Sequence, residues 1–149
     1  AGLSWLTILR KREGYRNAFV GFDPQRVAGF DEKSVDTLVL DASIVRHRGK
    51  IEATINNAKR AKEMVKEEGS IAAFIWRYEP KKLAKPQTVS TSEESIALSK
   101  ELKKRGWKFV GPTTVYAFMQ AMGLVNDHVK NCVIRDKVER ARNKFKRPT

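Results

Sequence analysis

Apolar residues recur at three- and four-residue spacing through nearly all of this chain, and no alternating run is long enough to demand a sheet. Leu3, Leu6 and Leu9 show the spacing after a short glycine-containing entry. Phe22-Asp23-Pro24 places an N-cap before a proline at the first helical position, with Val27 and Phe30 facing inward. Asp31 caps a helix carrying Val35, Leu38 and Val39. A long amphipathic segment follows, with Ile51, Ile55, Ala58, Met64 and Val65 along one side and Gly69 at its end. Ser70 caps a short helix holding Phe74 and Trp76. Residues 79 to 90, EPKKLAKPQTVS, read as an exposed loop. Thr91 with Glu94 forms the pattern of a capping box, opening a helix that runs to Lys104 and stops near Gly106. Trp107 to Val110 suits a short extended piece. Pro112 begins a last patterned helix, with Val115, Phe118, Met119 and Met122, ending at Gly123. The expected fold class is all-α.

The chain has 149 residues, enough for one domain with a real core. Thirty Lys and Arg stand against 17 Asp and Glu, a formal net charge of +13. That excess points to a polyanionic partner, nucleic acid first and an anionic membrane surface second. No strongly amphipathic basic helix supports the membrane, and no uninterrupted apolar stretch reaches the roughly 20 residues of a span. One cysteine excludes an internal disulfide framework and suits a reducing, intracellular compartment, without separating bacterial cytoplasm, nucleus and mitochondrial matrix. The last 22 residues, from His128, hold eight basic and two acidic side chains, almost half of the net charge. Val133, Val138 and Phe145 are sparse for an amphipathic helix, so residues 133–149 are expected as an exposed basic tail that orders on nucleic acid or a protein assembly. The chain opens on Ala1 and an apolar run, as expected of the later part of something longer.

Arg46-His47-Arg48-Gly49-Lys50 lies between two helical patterns. A glycine turn there exposes backbone N–H groups at the second helix's start, where they and the helix dipole bind phosphate. Arg46, Arg48 and Lys50 add charge, giving a clamp that positions DNA without reading bases. The competing reading is a solvated basic loop. Charge does not separate the two; the glycine and the flanking helices favour the clamp. His47 reads as structural, because no serine–histidine–acid spacing accompanies it. His128 and Cys132 stand four apart, on one face if helical, and would make half of a zinc site. Taken alone, an unligated pair is the simpler reading. Trp5, beside Gly2 and Leu3, is an indole that can stack on a base, although tryptophan at a helix entry is by default core, as are Phe109, Tyr116 and Phe118.

Several segments together resemble the DNA-3-methyladenine glycosylase I family. They are AGLSWLTILRKREGYR at 1 to 16, FDP at 22 to 24, IVRHRGKIEATINNA at 44 to 58, and the run from Ser90 to Val129 containing KKRGWKFVG and GLVNDH. The resemblance covers most of residues 1–132, a helical domain lacking the family's N-terminal segment, and leaves 133–149 outside. It implies an all-α, two-lobed bundle of the helix–hairpin–helix DNA glycosylase type. It also implies base excision repair of alkylated double-stranded DNA, by hydrolysis of the N-glycosidic bond of 3-methyladenine. Trp5 would then wall the pocket for a flipped base, and Gly2 and Leu3 would fill the gap in the stack. Arg46, Arg48, Gly49 and Lys50 would grip the backbone, and His128 and Cys132 would be two ligands of a structural zinc.

A cationic N3-methylated adenine is already a good leaving group, so recognition and positioning can dominate over general-acid help. The family lacks the aspartate used by other helix–hairpin–helix glycosylases. Its members carry, ahead of AGLSW, the other two zinc ligands, pocket aromatics and a base-reading glutamate. None of these lies in the present sequence, so no catalytic residue is assigned, and Ala117 stands where some members have a small hydroxyl residue. The alternative expectation is an inactive, glycosylase-derived module that holds RNA in a nucleoprotein assembly such as a mitochondrial ribosome.

Overall fold

A computed structural model describes residues 4–81, 86 and 88–148. Their regular elements are α1 (Trp5–Arg10), α2 (Arg12–Ala18), a 3-10 turn (Val20–Phe22), α3 (Pro24–Val27), α4 (Glu32–Leu40), α5 (Arg48–Glu68), α6 (Ile71–Trp76), α7 (Glu93–Lys104), α8 (Pro112–Ala121) and α9 (Arg135–Lys144). The fold is all-α, with no strand among the described residues, and the extended piece expected at Trp107 to Val110 is a bend. The chain divides into two compact units, Ala1–Glu63 and Met64–Thr149, with the division falling inside α5.

In the first unit, local chemistry starts each helix. Asp23 accepts from the Gln25 amide at 2.8 Å, with Pro24 supplying the preset first residue of α3. Asp31 and Ser34 cap α4 reciprocally. Phe19 sits at the centre of the core, with the rings of Tyr15, Phe22 and Phe30 at centroid distances of 6.3, 5.5 and 6.4 Å. Val27, Val35, Leu38, Ile44, Ile51 and Ile55 close around it. The α5 face holds Ile51, Ile55 and Ala58 as expected. Val65 is a correction: one position past Met64 on the wheel, it falls on the exposed side.

The second unit is built on Met64, Phe74, Leu98, Leu102, Val115, Tyr116 and Met119, with Leu124 and Val125 from the segment after α8. Ser70 caps α6 by accepting from the Ala73 amide. The cap of α7 is Ser92, paired with Ser95, rather than Thr91 with Glu94. Buried Ser99 donates to the Val110 carbonyl at 2.7 Å and fastens the bend before α8. Arg105 at the end of α7 donates to Glu67, Glu68 and Glu101 and lies 4.7 Å over the Phe74 ring. Tyr116 is buried as expected. Phe109 and Phe118, expected in the core, are 59% and 39% exposed: Phe109 lies in the bend before α8, and α8 turns Val115, Tyr116 and Met119 inward and Phe118 out.

The basic tail is mostly exposed, as expected, but part of it is helical. Residues 135–144 form α9, and the chain through 148 packs within the second unit. Apolar spacing does not order it; polar anchors do. Arg142 donates to the Gly123 carbonyl and to Glu79, and Arg147 reaches Glu79 at 2.7 Å. Phe145 rests on Trp76 at a centroid distance of 4.8 Å.

Candidate nucleic-acid interface and metal site

In the first unit, Ser4 caps α1 by accepting from the Thr7 amide at 3.2 Å. The cap fixes Trp5 as the first helical residue, and its side chain is 81% exposed. The default core reading of Trp5 is therefore overturned: the helix has only six residues and buries none of them. Leu6 and Leu9 are exposed beside it. Gly2 and Leu3 lie outside the described residues.

Residues 41–47 join α4 to α5. Asp41 accepts from the Ser43 amide at 2.7 Å and turns the chain; hydrogen bonding to Ser43 also holds the Asp41 carboxyl below its ordinary range. Ile44 is driven into the core. Three residues of α2 and its N-cap then hold the loop. Lys11 donates to the Ala42 carbonyl at 2.6 Å, Gly14 packs on Ser43, and the Tyr15 hydroxyl accepts from the Val45 amide at 3.2 Å. These partners lie about 30 residues from the loop in sequence, so spacing gave no sign of them.

The RHRGK segment sits differently from expectation. Gly49 is not the turn residue; it is the second residue of α5. His47 lies before α5, where its Nδ1 accepts from the Lys50 amide at 3.2 Å, a structural role consistent with its reading. A β-carbon on Gly49 would lie 3.4 Å from the His47 ring, an ordinary contact distance, so the imidazole does not by itself demand glycine there. Arg46 is exposed and Lys50 half-buried. The Arg48 guanidinium pairs with Glu32 at 2.6 Å, with Asp36, and with Glu52 at 3.7 Å, all on the surface. Hydrogen bonds to Asp36 and then Glu32 raise its pKa further. Two of these carboxylates sit on α4, so Arg48 staples α5 to α4.

In the second unit, residues 124–132 are held from both sides. The Tyr116 hydroxyl and Gln120 Nε2 both donate to Asp127 Oδ2, at 2.9 and 2.8 Å. Burial, and then the Asp127 hydrogen bond, push the Tyr116 phenol up to about 12. From α9, Arg135 donates to the His128 carbonyl, and Asn126 Nδ2 donates to the Arg135 carbonyl at 3.1 Å. A cavity of about 200 Å³ lies between this segment and α9; Asn126, Arg135, Glu139 and Arg142 are among its walls. Asn126 Oδ1 is buried without a hydrogen-bond partner.

His128 and Cys132 do not share a helical face. A turn closed by the Cys132 amide on the Val129 carbonyl, at 2.9 Å, brings them together instead. His128 Nδ1 and Cys132 Sγ are 3.6 Å apart. Zinc bonds of about 2.0 Å to nitrogen and about 2.3 Å to sulfur at a tetrahedral angle put those atoms about 3.5 Å apart. The pair fits one edge of a zinc tetrahedron. Among the described residues no group of three His, Cys, Asp or Glu forms a fuller set.

The comparisons with known proteins agree across sequence and structure. The model of the methyladenine glycosylase family matches residues 1–136. DNA-3-methyladenine glycosylase 1 of Escherichia coli K12 is 50% identical over 138 residues, covering 89% of this chain and 74% of that protein. DNA-3-methyladenine glycosylase of Haemophilus influenzae is 46% identical over 138 residues, covering 89% and 75%. The structure of 3-methyladenine DNA glycosylase I from Staphylococcus aureus, described for its recognition of 3-methyladenine, is 40% identical with a TM-score of 0.84, over 91% of this chain and 75% of that one. The chain belongs to the methyladenine glycosylase family.

Proposed function

We infer that this protein acts in base excision repair, hydrolysing the N-glycosidic bond of 3-methyladenine in alkylated DNA. The observation that carries the reading is identity of 46–50% to two DNA-3-methyladenine glycosylases over 138 residues. The exposed indole of Trp5 supports it. A flipped base needs a stacking surface, and an indole left in water at the start of a capped helix is one. Because the cationic N3-methylated base leaves as neutral 3-methyladenine, the protein's task is to extrude and hold it. At the α4–α5 hairpin, the grip on DNA rests on the first two amides of α5, at Arg48 and Gly49, with the Arg46 and Lys50 side chains, since the Lys50 amide is held by His47 and the Arg48 guanidinium pairs with carboxylates. The names of these relatives lend no support to a role in a ribosome or another nucleoprotein assembly. No helix among the described residues is long and apolar enough to cross a membrane.

The same reading gives His128 and Cys132 a metal. Their 3.6 Å separation suits a structural zinc, which would tie the segment after α8 to further ligands. The deciding experiment incubates the full-length protein with alkylated duplex DNA and separates the released bases. Free 3-methyladenine is the expected product. A folded protein that binds the duplex and releases none would overturn the assignment.

A further inference from the structure

Six of the tail's eight cations fall into two sets once α9 is in place. Arg135, Arg142 and Arg147 point inward and are spent on carbonyls and on Glu79. Lys137, Arg140 and Lys144 are exposed, and no ion pair among the described residues involves them. Positions 137, 140 and 144 follow the three-then-four spacing of one helical face, opposite the face carrying Arg135, Val138 and Arg142. The nearby acids fall elsewhere. Glu139 is on the anchored side, bonded to Asn126 at 3.2 Å, and Asp136, one turn before Arg140, borders the stripe only at its N-terminal end. Hydrogen bonds along the inner face fix the helix's rotation, so the outer stripe is presented in one orientation.

We propose that the Lys137–Arg140–Lys144 stripe of α9 is a second phosphate-binding surface, which follows the backbone of double-stranded DNA. It lies past residue 136, where the family match ends. From Lys137 to Lys144 the helix rises about 10 Å. One strand of a duplex places about three phosphates along that length of axis. Three cations therefore meet three phosphates, through flexible side chains and without base contacts, so the surface is independent of sequence. The proposal rests on the reading of this protein as one that acts on DNA; it does not require that the base be excised.

The test is the salt dependence of binding to an undamaged duplex, comparing the protein with a Lys137→Gln, Arg140→Gln, Lys144→Gln variant. Each lost phosphate contact lowers the slope of log K against log salt by about 0.9, so the expected decrease is about 2.7. A control on α7, Lys100→Gln with Lys103→Gln and Lys104→Gln, removes the same charge from other exposed positions and should change the slope by less than one contact. Lys137→Arg with Lys144→Arg keeps the charge and should keep the slope. Thermal unfolding of each variant checks the fold. An unchanged slope in the stripe variant overturns the proposal, as does an equal loss in the α7 control. So does a stripe that governs binding to phosphatidylserine vesicles while leaving duplex binding untouched. A protein whose duplex binding depends on the stripe but which releases no 3-methyladenine would overturn the glycosylase reading and support this one.

Discussion

Gly14 lies so close to Ser43 that a β-carbon at position 14 would run into the Ser43 backbone carbonyl. Helix α2 is thereby pressed onto the hairpin loop. Gly14→Ala would gain up to about 1 kcal/mol of helix propensity. The clash with backbone should outweigh it, with a net loss of about 1–3 kcal/mol. Urea unfolding would show a lower midpoint, and duplex binding would weaken with it. A stabilised Gly14→Ala protein would mean that the two segments separate freely.

Trp5→Ala separates display from packing. With 81% of Trp5 exposed, the substitution should leave stability within about 0.5 kcal/mol. Release of 3-methyladenine should fall at least tenfold if the indole holds the base. Phe19→Ala, at the centre of the first core, should cost about 3–5 kcal/mol. Unfolding curves and excision rates for the two variants would show opposite patterns.

Tyr116 predicts an alkaline limit. Its phenol is pushed up to about 12 from an ordinary 10.0 by burial and by the bond to Asp127. A raised pKa favours the folded state below pH 10, and that contribution is lost as pH rises from 10 to 12. Tyr116→Phe should lower the melting temperature at neutral pH and flatten its decline between pH 10 and 12. A variant that declines as steeply as the parent would place the titration elsewhere.

Cobalt offers a direct reading of His128 and Cys132. Co²⁺ in place of zinc gives a thiolate charge-transfer band in the near ultraviolet, and Cys132→Ser should abolish it in the full-length protein. Metal content should fall from one equivalent to none in the same variant. A band that survives would assign the sulfur ligand to another residue.

Arg142 should act as the pin of α9. Its side chain is 12% exposed and bonds both Gly123 and Glu79. Arg142→Ala should cost about 1–3 kcal/mol. Amide exchange should rise across residues 135–144 before the α7 and α8 amides respond. Uniform acceleration would instead make α9 part of one cooperative unit with the core.

Features set by near neighbours in sequence were legible in it. Asp23-Pro24, Asp31 and Ser70 start the helices they mark, and of the α5 stripe Ile51, Ile55 and Ala58 are buried in the first core and Met64 in the second. Thr91 and Ser92 are adjacent and equivalent as caps, and Ser95 decided between them by returning a bond to the Ser92 amide. What spacing could not show depends on distant partners. The acids around Arg48 at 32 and 36 belong to another helix, and the anchors of α9 at Glu79 and Gly123 lie up to 63 residues away. The default of a core position for Trp5 failed because side-chain size favours burial, whereas α1 is too short to have a buried face. The turn at Val129 to Cys132 joined two residues whose spacing had suggested a helix.

Arg48 changes how a binding titration should be counted. A guanidinium already faced by Glu32 and Asp36 has no crowd of solution anions to give up, and it neutralises nothing on an incoming strand. The number of ions exchanged when DNA docks on the hairpin should fall short of the basic residues written there. Opening the cage with Glu32→Gln and Asp36→Asn should make that contact steeper in salt, as the exposed guanidinium becomes available to a phosphate.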